Sequence, residues 1–185
     1  MTWEGTVLSS ALVSAGPHPD LLPDQQIFQP FIGSWDLVVS WYGEDGTVQR
    51  RENGEWHFAW VLEGRAVQDV WIVPPRPERV GHNDLYEYGT SLRFFDPALS
   101  AWRSTWIGPT RRAVHTFLAR KVGAEVVLET TLEDGRRMHW VFSDVSATAF
   151  TWRNSRETER GWVLTQDFAA RRAAIREPAS GADHR

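Results

Sequence analysis

From Ser34 onward apolar residues recur at every second position, in ten successive runs that end near residue 170. A period of two means strands, whose alternate side chains lie on opposite faces of a sheet. The runs are 34–42, 47–62, 65–73, 90–95, 101–107, 112–120, 125–132, 137–142, 148–156 and 162–170. Most are separated by short turn signals such as Gly43-Glu44-Asp45-Gly46, Glu63-Gly64, Val122-Gly123 and Glu133-Asp134-Gly135. Short connections pair neighbouring strands antiparallel, so the chain is a meander. A meander this wide curls up or splits into two sheets, and closure removes its edges. The expectation is an all-β, ten-stranded antiparallel up-and-down β-barrel, wide enough to keep a pocket inside. Asn53-Gly54, inside the second run, signals a bulge or bend.

The flanks follow a different pattern. Residues 1–19, rich in Ser, Gly and Pro, read as a flexible leader. Asp20 to Pro30 reads as a short N-terminal helix, with Asp20 as N-cap, Pro23 in the first turn and Pro30 as its end. Leu22, Ile27, Phe28 and Phe31 give it an apolar face. Residues 173–185 read as a flexible tail. A chain of 185 residues makes one domain, here 20–172, with a real core.

Composition narrows the function classes. The formal charge is −4, which argues against a nucleic-acid binder and a basic membrane anchor. Cys is absent, which excludes disulfides, thiolate metal sites and a Cys nucleophile. The first basic residue is Arg50, so no positively charged region precedes Val7–Ala15, and no apolar run is long enough for a membrane helix. The expectation is a cytoplasmic monomer or homodimer with a small-molecule partner, no metal and no cofactor.

Phe31-Ile32-Gly33-Ser34-Trp35 carries the chain into the first strand. Glycine permits the tight turn, and the indole closes one end of a barrel. This resembles the Gly-x-Trp start of lipocalins and their calycin relatives. In that family a C-terminal Arg stacks on the Trp, and Arg171 and Arg172 stand where it would be. Three further segments are Leu62-Glu63-Gly64-Arg65, Tyr88-Gly89-Thr90-Ser91-Leu92-Arg93-Phe94-Phe95-Asp96-Pro97 and Trp102-Arg103-Ser104-Thr105-Trp106. With them the chain resembles a bacterial lipocalin-like domain of unknown function, over roughly 30–170. The resemblance implies the barrel fold and little about activity.

Eleven tryptophans are more than a barrel needs for filling. Trp56 and Trp60 share one strand face, as do Trp102 and Trp106. Trp71, Trp140, Trp152 and Trp162 sit in other runs, with Phe94 and Phe168 in phase with their neighbours. Rigid indoles leave shaped gaps and supply N–H donors, which suits a flat apolar or aromatic ligand. Ser104, Thr116, Asn154 and Gln166 share the phase of these aromatics and are candidates to orient a ligand's polar end or to bond one another.

Arg65, Val67, Asp69 and Trp71 share a face. Arg65 and Asp69 are the one candidate acid–base pair, and equally a structural ion pair. Arg93 beside Phe94, Arg103 beside Trp102 and Arg153 beside Trp152 read as a solvated outer face. His57, His115 and His139 alternate opposite to Trp56, Val114 and Trp140 and so point outward, which argues against metal or haem ligation. The segment 74–89 is the longest connection. Pro74, Pro75 and Pro77 stiffen it, Gly81 and Gly89 let it bend, and His82, Asp84, Tyr86 and Tyr88 are placed to touch a ligand as a lid. The leading function is binding of a small hydrophobic or aromatic molecule in a Trp-lined cavity. The alternative is a cofactor-independent isomerase, cyclase or hydrolase in the same cavity. A nitrobindin-type haem barrel is a third.

Overall fold

The computed structural model describes residues 6–79 and 86–174. It contains one α-helix, α1 (Thr6–Leu12), and ten strands. These are β1 (Gly33–Tyr42), β2 (Val48–Val61), β3 (Ala66–Val73), β4 (Glu87–Asp96), β5 (Ala101–Gly108), β6 (Ala113–Val122), β7 (Glu125–Thr131), β8 (Arg137–Ser143), β9 (Ala149–Thr158) and β10 (Gly161–Arg172). Each pairs antiparallel with its sequence neighbours, and β10 closes on β1. The expected barrel is therefore the observed one. No described helix is long and apolar enough to cross a membrane.

The barrel has two unlike ends. The β2–β3, β4–β5, β6–β7 and β8–β9 turns lie at the end where β1 begins, and the N-terminal segment fills that end. The segment 20–30 does not form one helix. It makes two single 3-10 turns, Pro23–Gln25 and Gln29–Phe31. Pro30 has no N–H for a continuous α-helix, and residues three apart align in 3-10 geometry. Phe28 and Phe31 are both fully buried. Phe31 meets Phe142 and Phe150 at ring separations of 4.6 and 5.0 Å, and Phe28 meets Trp102 edge-on at 5.2 Å.

Residues 6–18 are not a loose leader. After α1, Val13 bridges to Val61, Ser14 N–H donates to the Trp60 carbonyl and His18 N–H to the Gly64 carbonyl. This strap lies over the β2–β3 turn. The residues from 175 onward fall outside the described chain.

Gly33 sits at φ +121°, and a Cβ there would stand 2.7 Å from the Arg172 guanidinium. Arg172 covers Trp35 at 4.1 Å and donates to the Ile32, Pro30 and Ala147 carbonyls. The C-terminal Arg thus takes the place that the calycin resemblance implies.

Asn53-Gly54 makes no bulge: the β1–β2 ladder runs unbroken through Leu37↔Gly54 and shifts instead at Trp41/Tyr42. Gly54 is needed because Val73 and the Ile72 carbonyl press on it. A second shift falls between Leu164 and Gln166. It leaves Trp162 on the outer surface, 42% exposed and stacked on His139, while Phe168 is buried. The β6–β7 ladder has five pairs, from Val122↔Glu125 to Leu118↔Glu129. Beyond it Ala113–Phe117 of β6 has no β7 partner.

Candidate ligand cavity at the open end

The open end carries the β1–β2, β3–β4, β5–β6, β7–β8 and β9–β10 connections. Below it is a cavity of about 190 Å³. Trp56, Trp71, Trp106, Trp140 and Trp152 border it. Neighbouring indoles of this set lie 5.2 to 6.3 Å apart, Trp56 against Trp71, Trp71 against Trp152, Trp152 against Trp140 and Trp140 against Trp106. Strand alternation puts them there: β2, β3, β5, β8 and β9 each turn a Trp inward at a similar height. Trp106 fits because glycines flank it. A Cβ on Gly89 would collide with its six-membered ring, and its Nε1 lies 3.0 Å from the place of a Cβ on Gly108.

Polar groups share this wall. Asn154 and Gln166 border the cavity. The Nε1–H groups of Trp56, Trp140 and Trp152, the Asn154 Oδ1 and the Gln166 Nε2 are buried with no hydrogen-bond partner among the described residues. Trp71 is different, since its Nε1–H donates to Glu87 at 2.9 Å. Glu87, Arg111 and Arg156 border the mouth.

His115 also borders the cavity, contrary to the outward phase expected for it. β6 alternates Ala113, His115, Phe117 and Ala119 inward, so Thr116 is the residue turned out. Sequence parity failed here because Val114 and Leu118, the apolar residues that set it, lie on the outside. Burial pushes the His115 imidazole below its ordinary 6.5, and the Arg156 cation adds to the push. His57 and His139 do point outward, bonded to Ser34 and Glu55 and paired with Glu129 respectively.

Several other candidates lie elsewhere. Trp60 and Trp102 belong to the closed end, donating to Gln29 Oε1 and the Gln25 carbonyl, each at 2.7 Å. Ser104 points inward next to Arg93 in the ladder, away from the cavity. Tyr88 borders the mouth, but its ring is 40% exposed and lies under Arg79 at 4.5 Å. His82, Asp84 and Gly81 fall outside the described residues.

The candidate acid–base pair is not formed. Arg65 is on the surface, bonded to His18 and Asp20 beside the N-terminal strap. Asp69 is buried and pairs instead with Arg93, 2.5 Å away and equally buried. The contact is an ion pair off the axis of a hydrogen bond. Asp69 Oδ1 also accepts Ser91 N–H at 3.0 Å, and the Arg93 guanidinium lies 5.0 Å from the Phe28 ring. Arg93 is thus inside and Phe94 outside, the reverse of the sequence reading. A buried, paired charge is something that alternation of apolar residues misplaces. The signal available was Asp69 itself, an inward carboxylate that needs a cation.

No family model matches the chain, and no curated protein matches it. Among solved structures the S-type phycobiliprotein lyase CPES from Guillardia theta is similar, with a TM-score of 0.54 at 11% identity. The likeness covers 82% of this chain and 93% of that one. At that identity it speaks for the fold. With the closed topology it shows a ten-stranded antiparallel barrel of lipocalin-like fold, here with an aromatic-rich interior.

Proposed function

We propose that this protein binds a small hydrophobic or aromatic molecule in the cavity at the open end. The observation that carries the reading is the wall itself: five indoles around one space, three of them with buried N–H groups and no partner among the described residues. Buried polar groups in folded proteins are almost always paired, so an exception asks for a partner. A ligand that meets these groups takes the place water would otherwise fill. The motif resemblance to bacterial lipocalin-like domains fits the same reading. We place the protein in the cytoplasm on the basis of its sequence.

The enzymatic alternative loses its pair, because Arg65 and Asp69 stand apart. The haem alternative gains an inward histidine in His115, yet a cavity of about 190 Å³ is small for a tetrapyrrole. Native mass spectrometry of protein taken from its own source cells tests the proposal. A bound small molecule, released on denaturation, is the expected result. Protein that flies bare and whose melting is unmoved by apolar aromatic probes overturns it.

A further inference from the structure

We infer that the ligand is a flat aromatic of about one or two rings bearing hydrogen-bond-accepting oxygen, a carboxylate or conjugated carbonyl. This rests on the binding reading above and adds the ligand's size and the sign of its polar end.

Size comes from the cavity. An apolar cavity of about 150 Å³ is enough to take up benzene, and this one measures about 190 Å³. A single ring fits, and a second projects toward the mouth. The sign comes from counting donors against acceptors. Among the described residues, the orphan groups bordering the cavity are three indole N–H donors, one amide NH₂ on Gln166 and one amide oxygen on Asn154. The orientation of an amide is an assignment, and turning Asn154 and Gln166 over only exchanges a donor for an acceptor. An indole cannot be turned over in this sense: its nitrogen only donates. Trp56, Trp140 and Trp152 come from three different strands, so the excess of donors is a property of the wall and not of one side chain.

The charged groups at the mouth agree. Arg156 and Arg111 border it, and the Glu87 carboxylate is engaged with Trp71. His115 is held toward its neutral form, so it does not demand a counter-ion. A pure hydrocarbon would fill the space and leave the three N–H groups unmet. A cationic ligand would meet donors and arginines with a donor of its own. An oxygen acceptor satisfies both the indoles and the mouth.

Three probes of one shape separate these cases: naphthalene, naphthoate and naphthylmethylammonium, titrated calorimetrically into the full chain. Naphthoate is expected to bind about tenfold or more tightly than naphthalene, with the ammonium weakest. Nitrogen-resolved NMR of the indole N–H signals gives an independent reading. Those of Trp56, Trp140 and Trp152 are expected to move with naphthoate, while those of Trp35, Trp60 and Trp102 stay. Trp152→Phe, which keeps a ring and loses a donor, is expected to narrow the naphthoate advantage; should it not fold, the NMR result on the unaltered chain still decides. If naphthalene or the ammonium binds as tightly as naphthoate, the donor argument is overturned and the binding reading stands. If none of the three binds, the binding reading falls and this inference with it.

Discussion

The two ends of the barrel use the same residue for opposite purposes. At the closed end, Trp35, Trp60 and Trp102 each donate their indole N–H at 2.7 Å, to the Phe31 carbonyl, to Gln29 and to the Gln25 carbonyl. All three acceptors lie in the N-terminal plug, so these indoles work as bolts. At the open end, Trp56, Trp140 and Trp152 are buried too but donate to nothing described. A satisfied indole contributes its area and its hydrogen bond to stability. An unsatisfied one gives back part of that gain as the desolvation cost of the N–H, about 1–3 kcal/mol. The lesson is that tryptophan content by itself does not mark a binding site. The state of the indole nitrogen is what tells the two ends apart.

That contrast breaks first at Trp35. Trp35→Ala removes a buried ring, its hydrogen bond and the base on which Arg172 stacks, and is expected to cost about 3–5 kcal/mol, a large part of a domain's usual stability. Denaturant unfolding checks it; an unchanged midpoint would show that the closed end does not hold the barrel together. Arg172→Lys is expected to cost less, about 1–2 kcal/mol. Lysine keeps the charge but cannot reach several carbonyls and cover an indole at once.

At the open end the expected sign reverses. Asn154→Leu removes an orphan amide oxygen from the indole wall, so stability should hold or rise by up to about 1 kcal/mol. Affinity for an oxygen-bearing probe should fall in the same variant. A clear drop in melting midpoint would mean that Asn154 has a structural partner. The smallest effect is electrostatic. The folded pKa of His115 is depressed below 6.5, so between the two values the unfolded chain binds more protons. Stability is then full above about pH 6.5 and declines as pH falls toward the folded pKa. Comparing midpoints of the unaltered chain and His115→Gln across that window isolates the contribution. A slope that survives the substitution would assign it to other groups.

Much of this was legible in advance. Ten alternating runs are a strong signal, because a period of two can be satisfied only by strands and short turns make them neighbours. The closed end was half legible: Gly33, Trp35 and the C-terminal Arg lie in a local pattern, while Phe28 and Phe31 act through 3-10 turns that helix rules do not foresee. The cavity was legible as a set of indoles but not as a place. Phase says which face a residue occupies, not its height along the barrel axis, and height is what separates Trp60 and Trp102 from Trp106 and Trp140. Phase itself failed where a strand carries apolar residues outward, as Val114 and Leu118 do in β6. It also failed at Arg93, where a buried carboxylate overrides hydropathy.

The β6–β7 ladder has a consequence of its own. A closed ring of strands has no ends to fray, so it can come apart only by unzipping along one seam. Here that seam is the shortest ladder, five pairs long, and it already stands open on the side of the cavity, from Ala113 to Phe117. The bolts of the other end hold strands that this seam does not need in order to part. Parting the seam would open the wall beside the cavity without any melting of the plug. For the ligand proposed above, exchange would then depend on the seam and affinity on the indoles, so the two would be open to separate alteration.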